Sequence, residues 1–312
     1  MTTIAQLGFS LGTLVLLVAF AAHVGHAVLL AAGRRTVRAM VRSPQPSYAG
    51  VVGGTLAAIL DASDEESAGP RGGRSALGRP AILLAAAAFG LFTLALLARA
   101  FVVGRGPWGN LFEFSVAFAW SIVGGYLWLA TRYPIRSIGF LPIGVASALA
   151  LYAASLPSDV RPLLPALDNA PLLTIHVGTA VLAYGIFATA FAAGVGYLIQ
   201  GPTDRIAWLP SHRTLDAVAY RAVIVGFPIF ATMIILGSWW ASIAWSRYWG
   251  WDPKETSALV TWLTYAVYLH ARNQRRWAGR PAALLLVVGF VMVLVTYSGS
   301  LWFSGLHAYS GL

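Results

Sequence analysis

The 312 residues contain no cysteine, so this chain alone can build no disulfide frame, no thiolate nucleophile and no thiolate metal site. Charge is scarce as well: Asp, Glu, Lys and Arg together make up 10% of the chain, and a single lysine, Lys254, stands against twenty arginines. No period of roughly 20 to 50 residues repeats, which argues against a solenoid and against an obvious inverted-repeat transporter. What remains is apolar. With 58% hydrophobic residues and a mean hydropathy of +0.71, the side chains exceed what a soluble core of this size encloses, so most of the chain must face lipid.

Long apolar runs fall at about 5–31, 80–103, 109–130, 134–155, 172–199, 219–240, 256–272 and 281–301, each near the roughly 20 residues that a helix needs to cross hydrocarbon. The expected fold class is an all-α, polytopic membrane helical bundle of about eight transmembrane helices. Two runs carry the weakest signal: Pro134 and Pro142 interrupt the fourth, and the seventh is short and contains Thr261 and Thr264. The first run has no basic segment before it and no small-residue cleavage pattern, so it reads as a retained helix and not a signal peptide. Arg34, Arg35, Arg38, Arg42, Arg71, Arg74 and Arg79 crowd the first loop, which by the positive-inside tendency puts that loop in the cytoplasm and the N-terminus outside. Alternation from there leaves sixteen of the twenty-one basic residues inside. The net charge of +10 is therefore a topology signal, and no nucleic-acid partner is needed to explain it.

The organisation reads as a first transmembrane helix over 1–32, a largely disordered cytoplasmic loop over 33–79, and a functional transmembrane domain over 80–312. Within the loop, 49–60 has the pattern of a short interfacial helix weakened by glycines. Three stretches fall on the outer side: the proline-rich 156–171, the segment 241–255, and the tail from about 302. Residues 239–255 read W-W-A-S-I-A-W-S-R-Y-W-G-W-D-P-K-E, with five tryptophans in thirteen positions. Interfacial tryptophan belts are ordinary, but this density exceeds one. A row of broad indole faces suits a planar conjugated ligand at a membrane boundary. The spacing predicts a short surface-lying helix or turn over 241–255, with Trp245 and Trp249 on one face and Pro253 opening the next helix.

Six histidines occur, at 23, 26, 176, 212, 270 and 307. His176 opens the fifth span just after an outer loop and His307 lies in the outer tail, so the topology puts both beside the tryptophans. Either alone reads as a hydrogen-bonded structural residue; together, two imidazoles flanking an aromatic platform could supply both axial ligands of a haem iron. His270, near the inner end of the seventh span, is a functional candidate by its depth or a residue that snorkels to the interface. His23 and His26 share a helix face and read as polar helix contacts in preference to members of an inner-leaflet ligand pair. His212 reads as solvated. Glu113, just inside the third span, requires a partner such as Arg99 or Arg105. Asp252, Lys254 and Glu255 fit the capping of the seventh helix.

The tryptophan segment, together with T-W-L-T-Y-A-V-Y-L-H-A-R, G-L-H-A-Y, L-L-T-I-H-V and P-W-G-N-L-F-E-F, resembles the WWD haem-handling family of c-type cytochrome maturation. The likeness is to its System II, CcsA/ResC type, called CcsB in actinobacteria, and spans about 107–309. The resemblance implies haem b (iron protoporphyrin IX) held on the extracytoplasmic side of a bacterial plasma membrane by His176 and His307. Trp240, Trp245, Trp249, Trp251 and Asp252 form the WWD part of that site. His270 matches the histidine of a second, deeper haem position whose opposing ligand comes from a ResB-type partner. The implied activity is that of a holocytochrome c synthase component, joining haem to the C-x-x-C-H segment of an apocytochrome, with a thiol-reducing pathway protein as a further partner. A haem transporter or chaperone without ligation activity is the alternative, and a haem-b electron-transfer subunit a more distant one.

Overall fold

The computed structural model describes residues 2–42, 75–160, 170–274 and 276–307. Every long element among them is a helix: α1 (Thr2–Arg42), α2 (Gly78–Val103), α3 (Leu111–Ala130), α4 (Phe140–Ala154), α5 (Ala170–Gln200), α6 (His212–Trp245), α7 (Pro253–Arg272) and α8 (Arg280–Trp302), with a 3-10 turn at Arg136–Ile138 leading into α4. Each predicted apolar run coincides with one helix. Seven are long and apolar enough to cross a membrane, and α7 is the exception. The protein is thus a polytopic, all-α membrane bundle. The interfacial helix expected at 49–60, the disorder expected over most of 33–79 and residues 161–169 of the proline-rich stretch lie outside the described residues.

Three boundaries differ from expectation. α1 runs on to Arg42, because alanine and arginine are good helix formers that outweigh Gly33, and no proline interrupts the ladder before Pro44. α6 begins earlier, where the Ser211 side chain accepts from the Thr214 N–H as an N-cap, and it ends later, at Trp245. Of the short helix or turn expected over 241–255, the helix is excluded: residues 241–245 finish α6, Ser246, at φ 56°, turns left-handed and stops it, and 246–252 are non-helical. Trp245 and Trp249 therefore share no helix face.

Neighbouring helices pair in sequence, α1 with α2, α3 with α4, α5 with α6 and α7 with α8, and α5 also packs on α3 and α8. The α3–α5 contact depends on small residues. Gly125 lets the chain approach the Gly185 carbonyl, 3.0 Å from where a Cβ would stand, and a Cβ on Gly185 would strike the Ser121 backbone. Ser121 Oγ in turn donates to the Val181 carbonyl at 2.6 Å, an interhelical bond of the kind that substitutes for the missing hydrophobic drive inside lipid. Leu7, Leu11, Leu14 and Val18 on α1 and Leu83, Leu94 and Leu97 on α2 are exposed, as lipid-facing residues must be.

The low apolarity of α7 has a local cause. Its inward face carries Ser257, Thr261, Tyr265 and Tyr268, all buried; Thr261 bonds Thr296 of α8 at 3.1 Å, and Tyr265 stacks on Phe187 of α5 with centroids 3.8 Å apart. The helix is polar inward and apolar outward at Val260, Leu263 and Val267. The bundle also has two dissimilar ends. One collects the α2–α3 loop, the start of α5, the end of α6, the start of α7 and the end of α8. The other carries Arg132, Arg136, Arg205, Arg213, Arg272 and Arg280.

Candidate functional site

At the first of these ends lies a cavity enclosing about 1060 Å³ of empty space, its mouth included, among whose lining residues are Trp108, Asn110, Phe114, His176, Tyr184, Trp240, Trp249, Lys254, Tyr297 and His307. The structure brings His176 and His307, 131 positions apart in the chain, to the walls of this one cavity.

Each imidazole has a defined tautomer. His176 Nδ1 lies 2.9 Å from the Met233 carbonyl oxygen, which can only accept, so Nδ1 carries the proton and Nε2 the lone pair. Gly237 makes room for the ring: a Cβ there would sit 2.7 Å from His176 Cε1. His307 Nδ1 lies 2.8 Å from Asp252 Oδ1, and a carboxylate likewise leaves the lone pair on Nε2. Two indoles link the imidazoles, through two tilted ring contacts and one edge-to-face contact. Ring centroids run His176–Trp240 5.7 Å, Trp240–Trp245 5.9 Å and Trp245–His307 5.0 Å.

Asp252 organises the α7 end of the site. As N-cap of α7 it accepts from Lys254 N at 2.9 Å, and its other oxygen accepts from Leu306 N at 2.6 Å, so one carboxylate pins the tail after α8 onto the start of α7. Gly305 permits that approach, since a Cβ there would collide with Asp252 Oδ2. Burial opposes ionisation of this carboxyl. The hydrogen bonds from His307 Nδ1 and from the Lys254 and Leu306 N–H groups outweigh it and hold the pKa below the usual carboxylate value. Just before it, Trp251 sits at φ 55°, a conformation uncommon for a large side chain. Glu255 holds it there: Oε2 accepts from Gly250 N at 2.8 Å and Asp252 N at 3.2 Å, bracketing the strained residue and completing the capping box.

The other expected residues fall as follows. Trp240 and Trp249 line the cavity, while Trp245 does not and packs on His307 instead. Trp251 is 69% exposed, edge-on to Trp249 at 5.8 Å. His270 is exposed near the far end of α7, beside Gln274, well away from this cavity. His23 bonds Ala19 O and Tyr126 Oη, both at 2.9 Å, and His26 bonds Ser75 Oγ at 2.6 Å, as helix contacts should. His212 is half-buried and pairs with Asp204 at 3.1 Å, so it is not the solvated residue expected. Glu113 finds both anticipated arginines, with Arg99 at 2.8 Å and Arg105 at 3.0 Å, and Gly109 N besides.

Trp108 was missed as a site residue. It comes from the α2–α3 loop, lines the cavity, and its buried Nε1–H has no protein partner. Its signal was present in P-W-G-N-L-F-E-F, at the outer start of the third span, but nothing local says which side of the loop the ring takes.

Comparison with known proteins gives a consistent picture. The family model of the cytochrome C assembly protein matches residues 108–307. The chain is 34% identical over 264 residues to the cytochrome c biogenesis protein CcsA of a Synechococcus species, covering 73% of this chain and 85% of that one. It is similar to CcsA of Gloeothece citriformis at 32% identity, covering 68% and 81%, and to CcsA of Synechococcus elongatus at 34%, covering 74% and 88%.

Proposed function

This chain belongs to the cytochrome c assembly protein family, with CcsA proteins among its relatives, and from that membership we propose that it holds haem as a substrate in its aromatic cavity for attachment to an apocytochrome. Its role is in c-type cytochrome maturation. The observation that carries the haem reading is the pair of imidazoles on one cavity, each with Nδ1 committed to an acceptor and Nε2 left with its lone pair. Metal-bound histidines are oriented in this way.

The remaining wall fits the same substrate. Trp108, Trp240 and Trp249 offer indole surface to a flat macrocycle. Lys254 is the cation on the lining and Trp108 Nε1–H an unused buried donor; both suit the carboxylates of haem, whereas Arg247 is exposed and off the lining. Of the other WWD residues, Trp245 backs His307, Asp252 orients it, and Trp251 extends the aromatic surface outward from Trp249.

The chemistry to be served is addition of two cysteine thiols across two vinyl groups. In each addition the S–H bond breaks, a carbon–sulfur bond forms and the proton goes to the neighbouring vinyl carbon, with no net oxidation. The chain's contribution is proximity: fixing the vinyls where a C-x-x-C-H segment arrives raises effective concentration by orders of magnitude. Having no cysteine, the holder cannot trap its substrate as a mixed disulfide. The arginine-rich end faces the cytoplasm and the cavity the outside of the bacterial plasma membrane. His270, on the outward face of α7, would meet a ligand brought by a ResB-type membrane partner, and a thiol-reducing protein would keep the C-x-x-C-H cysteines reduced.

The test is purification from cells, with and without that partner, followed by visible spectroscopy and reaction with an apocytochrome peptide. A bis-imidazole spectrum in the wild type, lost in a His176→Ala/His307→Ala variant, is the expected result. Unchanged haem content in the double variant rejects the cavity as the site. Haem bound and passed on without thioether formation would identify a haem transporter or chaperone.

A further inference from the structure

The two imidazoles differ in what holds them. His176 Nδ1 faces a neutral acceptor, the Met233 main-chain carbonyl. His307 Nδ1 faces the Asp252 carboxylate, which is kept anionic by N–H bonds from Lys254 and Leu306 and by its place at the start of α7. A carboxylate draws the Nδ1 proton toward itself and leaves more electron density on Nε2, so the same ring becomes a stronger σ-donor; a carbonyl does this less.

Building on the haem reading above, we propose that Asp252 is a positioning residue that makes His307 the anchoring ligand and His176 the exchangeable one. The incoming C-x-x-C-H histidine then replaces His176 on iron: one Nε2–iron bond breaks, another forms, both ligands are neutral and no proton or electron changes hands. The supports around the rings agree with this division. His307 is tied through Asp252 both to the start of α7 and to the tail at Leu306, whereas a single main-chain carbonyl holds the His176 ring.

Asp252→Asn tests the electronic part: asparagine caps helices as well as aspartate and its carbonyl can still accept from His307, while the Leu306 N–H loses its acceptor, a cost that the unfolding comparison reads separately. The full chain is purified with its bound haem, and its thermal unfolding compared with wild type to show that the fold is intact. The expected result is a haem reduction potential shifted to a more positive value, and haem affinity lowered by about 10- to 100-fold, the range for loss of such a supporting partner. In parallel, His176→Gly should retain haem through His307 and recover a bis-imidazole spectrum on adding imidazole, whereas His307→Gly should lose most haem and recover poorly. Unchanged potential and affinity in Asp252→Asn, or equal haem retention in the two glycine variants, overturns the division of roles while leaving the cavity reading intact. Absence of haem from the wild-type protein would instead overturn the cavity reading, and this inference with it.

Discussion

At the aromatic end of the bundle, His176 and His307 each give one ring nitrogen to a fixed acceptor, and both stand on a common cavity. At the arginine end, His23 has both nitrogens engaged, by the Ala19 carbonyl and the Tyr126 hydroxyl, and His270 lies on the outward surface of α7. Residue type is constant across this comparison and the surroundings are not. A histidine that donates through one nitrogen and accepts through the other has no lone pair to offer a metal, whereas one whose Nδ1 is the donor carries its lone pair on Nε2. The two ends also treat charge differently. The cavity end neutralises Glu113 with Arg99 and Arg105 in its interior, while the other end carries its Asp216–Arg272 pair partly exposed.

The strongest way to break the comparison is to remove its two members in turn. Replacing both His176 and His307 by alanine should abolish haem retention, read from absorption of the purified protein. His23→Ala should leave haem per folded molecule unchanged and lower thermal stability, by about 1–3 kcal/mol for the donor and acceptor it strands. A haem loss in His23→Ala equal to that of the double variant would erase the distinction between the ends.

Next in size is Glu113→Leu. It strands the Arg99 and Arg105 guanidiniums, whose side chains are only 8% and 7% exposed, and breaking a buried pair in this way costs about 3–5 kcal/mol. Detergent-solubilised protein should unfold at a markedly lower temperature. Disrupting the exposed pair instead, with Asp216→Asn, should cost no more than about 1 kcal/mol.

Lys254→Gln sharpens the cavity end alone. Losing a charge-assisted hydrogen bond of about 1.5–3 kcal/mol should weaken haem binding by roughly 10- to 100-fold, measured by titration, with thermal stability close to wild type. The smallest effect belongs to Trp251→Gly. Glycine takes the left-handed conformation freely and the indole lies outside the cavity lining, so haem affinity should move by less than about 0.5 kcal/mol. A larger loss would place that indole in direct contact with the substrate.

Much of this architecture was legible along the chain. The eight apolar runs became eight helices because crossing length and transfer free energy are properties of a continuous segment. The weak apolar signal of the seventh run was informative: Thr261 belongs to a polar inward face, while Thr264 bonds its own helix on the exposed side. The Glu113 pairing was also legible, because a carboxylate at that depth must be neutralised and the available cations lay nearby in the chain. Between the helix and the turn that 241–255 allowed, tryptophan spacing could not choose, because the left-handed turn at Ser246 reflects how the end of α6 and the cap of α7 meet. Trp108 was overlooked for a similar reason: a loop tryptophan faces a cavity or lipid according to neighbours far away in sequence.

By itself, then, the order of residues determined the number of helices, the sidedness of the arginines and the candidate histidines, all of which follow from hydropathy, charge and chemistry read within short windows. Only the tertiary structure decided that His176 and His307 share a wall, that Trp245 stands behind a histidine while Trp108 lines the cavity, and that Asp252 grips one imidazole and a main-chain carbonyl the other. Those are relations between segments up to 131 positions apart, created when α5, α6, α7 and the tail pack together, and no local pattern encodes which atoms of distant segments will meet.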